Sequence, residues 1–159
     1  MGAVRINRKW ILLAIIGLLF TAIYTVYNSM MDASQEITEI AWQRTGGFAG
    51  LDETLIIKSD GSTYLSSNIL GEKEFTLSES ELVSLTTIIV DSGILKIDAS
   101  YGPKAGATDF FSYSIRIDSD SKSTRIEWVD DWASKEELPE GLVDIGERLL
   151  TIIQGLENV

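Results

Sequence analysis

The chain contains no histidine and no cysteine. That removes the commonest general base, the soft metal ligands and every Ser–His or Cys–His dyad. Acid–base chemistry would fall to carboxylates, and Asp130-Asp131 is the pair to weigh for a carboxylate-dependent hydrolase. Adjacent residues in a strand or loop project apart, however, so beside Trp132 the pair reads as a solvated turn. Asp118-Ser119-Asp120-Ser121-Lys122 opens like a calcium loop. Lys122 then occupies an oxygen-ligand position and Ser123 stands where the turn glycine belongs, so a hairpin tip is expected. Gly102-Pro103-Lys104-Ala105-Gly106-Ala107-Thr108 has the look of a phosphate cradle. A strand pattern follows it where a helix is required, and no Gly-Lys-Ser/Thr is present, so it is expected to be a flexible loop. These residues imply no catalytic constellation, no metal and no cofactor.

Surface recognition is the chemistry that remains, and Gly46-Gly47-Phe48-Ala49-Gly50 is the segment best suited to it. Three glycines there can take positive φ and form a turn. A large aromatic on such a turn has two readings: an exposed anchor for a partner's pocket, or a core ring around which the glycines let the chain bend. Trp132 has the same two readings.

The flanking patterns define the elements that position these residues. Ile37 to Arg44 reads as a strand, and Leu55–Lys58 and Thr63–Leu65 flank the hairpin signal Asp60-Gly61. Ser78 and Glu81 have capping-box spacing ahead of Leu82, Leu85, Ile88 and Ile89, with Gly93 as the stop. The β-branched run Thr86–Val90 leaves a strand alternative open there. Phe111, Tyr113, Ile115 and Ile117 alternate with polar residues, and Thr124, Ile126 and Trp128 return after the polar turn. Leu138, Leu142, Ile145, Leu149, Ile152 and Leu156 step by four and three, with Pro139 suited to the first turn and Gly155 near the end. Strand, hairpin, helix, hairpin, helix implies an α+β domain over 37–159: an antiparallel sheet of about five strands packed with two helices.

Ahead of that domain, Arg5, Arg8 and Lys9 in the basic N-terminus (1–9) precede an uncharged run, Trp10 to Met31. As a helix the run would span about 30 Å, the thickness of a hydrocarbon core. It is longer than the apolar region of a signal peptide and lacks a small-x-small exit, which favours a retained transmembrane anchor over cleavage. A linker over 32–36 follows. The positive-inside tendency places the N-terminus in the cytoplasm and the domain outside, in an extracellular or periplasmic space. All 24 Asp and Glu residues follow the run, against ten of the 13 Lys and Arg, giving the exported part a charge of about −14. That balance excludes nucleic acid as a natural partner and disfavours an anionic membrane surface. It would speed encounter with a positively charged protein, and it also keeps a domain soluble.

The order of these pieces resembles a known family. Arg44-Thr45-Gly46-Gly47-Phe48-Ala49-Gly50, the capped helix, Asp109-Phe110-Phe111-Ser112-Tyr113-Ser114-Ile115, a strand ending near Asp130 and the proline-started terminal helix together look like emfourin, the small inhibitor of protealysin and other thermolysin-like metalloproteases. The likeness spans about Ile40 to Ile153. It implies a compact α+β inhibitor that occupies a protease cleft without a cofactor, with Gly46, Gly47, Phe48, Ala49 and Gly50 as the expected partner-binding segment. The anchor and the strong acidity depart from the stand-alone soluble chains expected of that family. A membrane-anchored extracytoplasmic protease inhibitor is the expected function, and a non-catalytic interaction subunit of a membrane or envelope complex is the alternative.

Overall fold

The computed structural model describes residues 36–157, together with Thr21. The basic N-terminus (1–9), the run expected to form a membrane helix (10–31, Thr21 apart) and the expected linker (32–36, Glu36 apart) lie outside the described residues. Among the described residues no helix is long and apolar enough to cross a membrane.

Residues from Glu36 onward form one unit, an α+β domain. Its strands are β1 (Ile37–Gly46), β2 (Leu51–Lys58), β3 (Ser62–Ser67), β4 (Gly71–Thr76), β5 (Ala99–Tyr101), β6 (Phe111–Ser119) and β7 (Ser123–Val129). They make a single seven-stranded sheet in the order β4-β3-β2-β1-β6-β7-β5. The expected five antiparallel strands are therefore corrected to seven, and the sheet is mixed, because β5 lies parallel to β7. Two strands escape the sequence pattern for physical reasons. Gly71-Glu72-Lys73-Glu74-Phe75-Thr76 is highly charged, and only Phe75 supplies an apolar side chain to the core side. β5 is three residues long, too short to show a period.

Alternation within each strand sets the buried face. Ile40 and Trp42 of β1, Leu55 and Ile57 of β2, Leu65 of β3, Ile115 and Ile117 of β6, and Ile126 of β7 are all at most 1% exposed. Helix α1 (Glu79–Asp91) and helix α2 (Glu140–Glu157) cover that face and share its core. Burying each such side chain contributes about 1.5–3 kcal/mol.

The helix boundaries follow from their caps. Ser78 Oγ accepts from the Glu81 amide at 3.3 Å, and Glu81 Oε2 accepts from the Ser78 amide at 2.9 Å. This reciprocal box settles the ambiguity over Thr86–Val90 in favour of helix, with Leu85 and Ile89 fully buried. Pro139 sits one position earlier than expected, as the residue before α2, and its carbonyl accepts from Leu142 and Val143. At the far end of α2, Lys73 Nζ donates to the Leu156 carbonyl at 2.8 Å.

Both borders of the sheet are blunted. Glu72 and Glu74 of β4 are exposed and Lys73 is turned under the sheet to α2. On the opposite border β5 runs directly into Gly102-Pro103.

Candidate docking site at the Gly46–Gly50 turn

The β1–β2 ladder keeps its register up to the pairs Arg44↔Glu53, Thr45↔Asp52 and Gly46↔Leu51. The Gly50 amide then donates to the Gly47 carbonyl at 3.1 Å, closing a β-turn over Phe48 and Ala49. Gly46, Gly47 and Gly50 take φ of +106°, +67° and +61°, as the glycine spacing predicts. Two of them also allow close approach. A Cβ on Gly46 would stand 2.7 Å from the Phe110 carbonyl oxygen, and one on Gly47 would stand 2.5 Å from the Phe111 ring.

Flanking elements brace this turn from two sides. On the β6 side, the Gly47 amide donates to the Phe110 carbonyl at 3.0 Å. On the β3 side, Asn68 Nδ2 donates to the Gly50 carbonyl at 2.9 Å and Asn68 Oδ1 accepts from the Asp52 amide at 3.0 Å. The Asn68 amide also donates to the Asp52 carbonyl at 3.0 Å. Phe48 projects from this braced turn with 97% of its surface exposed. Of its two sequence readings, the outward one is observed. Ile69 and Trp132, 66% and 55% exposed, belong to the same end of the sheet, in the β3–β4 turn and just past the end of β7.

No family model and no curated protein matches the chain. What the site can do is therefore read from its own geometry.

Beneath the turn lies a polar and aromatic layer. Arg44 Nε and Nη2 donate to Glu53 Oε2 at 3.1 and 2.6 Å, and Ser67 Oγ donates to Glu53 Oε1 at 3.1 Å. The Glu53 side chain is only 3% exposed, so the guanidinium supplies the compensation its burial requires. Arg44 also stands 5.2 Å from the Phe111 ring centre and 6.0 Å from that of Trp42, within cation–π range. Next to it, Tyr113 stacks on Trp128 with ring centres 5.2 Å apart and planes 12° from parallel. The Tyr113 hydroxyl donates to Asp130 Oδ1 and the Phe111 amide to Asp130 Oδ2, both at 2.8 Å. Burial, and then the bond to Asp130 and its negative charge, push the Tyr113 phenol well above the usual tyrosine range.

The other candidates resolve plainly. Asp130 faces β6 with both oxygens engaged, whereas Asp131 starts an exposed 3-10 turn, so the two carboxylates do not form an acid–base pair. Asp118 to Lys122 is the β6–β7 hairpin tip, closed by the Ser119 amide on the Lys122 carbonyl at 2.8 Å. The segment expected to be a flexible loop is pinned along its first half. The Lys135 backbone amide donates to the Gly102 carbonyl at 3.0 Å, and the Lys104 backbone amide to the Ala133 carbonyl at 2.8 Å. Among the described residues no group of three or more carboxylates is placed to hold a metal ion.

Sequence reasoning missed Arg44, Glu53, Asn68 and Tyr113 as parts of this end. A signal for the first pair existed. With the turn centred between Phe48 and Ala49, counting outward in both directions places Arg44 opposite Glu53.

Proposed function

We propose that the domain is a non-enzymatic docking module that inserts Phe48 and its turn into a partner's cleft. The specific role we assign is a membrane-tethered inhibitor of an extracytoplasmic, thermolysin-like metalloprotease. One observation carries the reading: a fully exposed phenylalanine stands on a turn held by hydrogen bonds from both neighbouring elements. Burying such a ring costs a soluble domain nothing it already uses, and a rigid turn has little entropy left to lose on binding. The absence of histidine and cysteine from the sequence and the engagement of both Asp130 oxygens support a role without catalysis. The likeness of the Gly46–Gly50 segment and the following elements to emfourin supports the protease target.

The tether fits the same reading. β1 has ten residues, so Phe48 stands about 33 Å along the strand from Glu36, where the chain joins the domain. Within the domain, Glu36 and the turn lie at opposite ends of β1.

The test is inhibition of several thermolysin-like enzymes by the full-length protein in detergent micelles. Residual activity should fall with added protein and recover with Phe48→Ala. Undiminished activity at micromolar excess across the set rejects the target class. The exposure of Ile69 and Trp132 at the same end of the sheet as Phe48 favours a broader surface and gives weight to the second reading, an accessory subunit of an envelope complex. Crosslinking in native membranes separates the two: one stoichiometric membrane partner supports the subunit, and captured secreted proteases support the inhibitor.

A further inference from the structure

Two aromatic rings from the Phe48 turn, a groove of about 210 Å³ runs between the end of the sheet and α2. Its walls are apolar, formed by Trp128, Leu138, Val143 and Leu150. On the helix side Gly146 adds no side chain, and a Cβ there would stand in ordinary contact, 3.5 Å from the Trp128 indole. Tyr113, stacked face to face on Trp128, extends the aromatic floor toward Phe111 and so toward Gly47, which rests on the Phe111 ring. A chain of ring contacts thus links the groove to the base of the docking turn.

Its rim has one sign of charge. Asp131 and Glu147 are exposed on either side, and Asp130 stands between the floor and the rim. The cation placed nearest to Tyr113, Arg44, is already held by Glu53. An apolar slot with an aromatic floor and carboxylates at its mouth suits a side chain with an aliphatic stem and a cationic head. The stem lies along the half-buried Val143 and Leu150, and the charge meets the rim. The geometry points to a second contact of the docking surface: this groove receives a lysine or arginine side chain of the partner protein that Phe48 enters. The inference rests on the docking reading above and gives it chemistry, namely a partner with an apolar pocket for Phe48 and a basic residue beside it.

The groove can be tested without knowing the partner. Acetyl-Gly-Arg-Gly-amide and the same peptide with neutral citrulline are titrated into the full-length protein in micelles, while backbone amide signals are followed by NMR. The arginine peptide should move the signals of Val143, Gly146 and Leu150, leave those of Ser59 and Ser62 in place, and do so at concentrations up to about 10 mM, the range of a single side-chain contact. The citrulline peptide should not. The Asp131→Asn/Glu147→Gln double variant, which touches only exposed residues, should weaken the arginine peptide about three- to tenfold. Equal shifts with both peptides, shifts away from the groove, or no shift at all overturn the proposal. Phe48→Ala should leave the titration unchanged while weakening inhibition about 30-fold. Loss of the protease reading and loss of the groove reading therefore show in different experiments.

Discussion

The Tyr113 hydroxyl and the Asp130 carboxylate meet at 2.8 Å, and the second oxygen of that carboxylate takes the Phe111 amide. One side chain at the end of β7 thus fixes the start of β6, directly below the turn that carries Phe48. The bond has a pH signature. Because the folded-state phenol titrates above its unfolded value, its contribution to stability is complete below about pH 10 and is lost as pH rises beyond that. Tyr113→Phe should cost about 1 kcal/mol near neutral pH. The difference between variant and wild type should then shrink as urea unfolding is repeated from pH 8 to pH 11. A gap that stays constant across that range would show that Tyr113 titrates alike in both states.

Phe48→Ala removes a ring that touches almost nothing in its own domain. The melting temperature should therefore stay within the small range of surface substitutions. If Phe48 anchors the partner, the inhibition constant should rise about 30-fold, the scale of a hot-spot residue. Calorimetry and inhibition on the same preparation check both halves together.

Glycine replacements should separate turn geometry from turn space. Gly46→Ala places a methyl group against the Phe110 carbonyl at a φ of +106°, and should destabilise by about 2 kcal/mol or more. Gly50→Ala meets nothing within 4 Å and adopts a left-handed φ of +61°, so about 1 kcal/mol is expected. Denaturant midpoints of the two variants give the comparison directly.

Arg44→Met leaves Glu53 buried with only Ser67 to satisfy it, and should cost about 3–5 kcal/mol. Pairing it with Glu53→Met should recover most of that loss, because two apolar side chains of similar length then occupy the layer. A double-mutant cycle in urea measures the recovery. An additive double variant would mean the pair is not coupled.

The fold was legible where local chemistry and global packing agree. Ser78 and Glu81 mark the start of α1 through a cap that both side chains complete, and Asp60-Gly61 marks a hairpin because Gly61 takes a φ of +82° there. β4 was hidden because its ladder with β3 is made by backbone groups while its side chains are those of a soluble surface. The parallel β5 was hidden because three residues beside β7 leave no mark in the pattern. At the docking site, the glycine turn could be read from its spacing, but the direction of Phe48 could not. That direction depends on Phe110, Phe111 and Asn68, which hold the turn from 16 to 64 positions away in the chain. The Asp130 contacts were equally silent, since nothing in a sequence says that a carboxylate after one strand will serve the amide that opens another.

The charged β4 and the truncated β5 have a consequence for the molecule in numbers. A copy meeting another side by side finds no long, uncharged run of free amides and carbonyls to extend. Such a domain can reach high local density without its sheet borders zipping together into fibrils. Its exposed aromatic rings then stay available to other proteins.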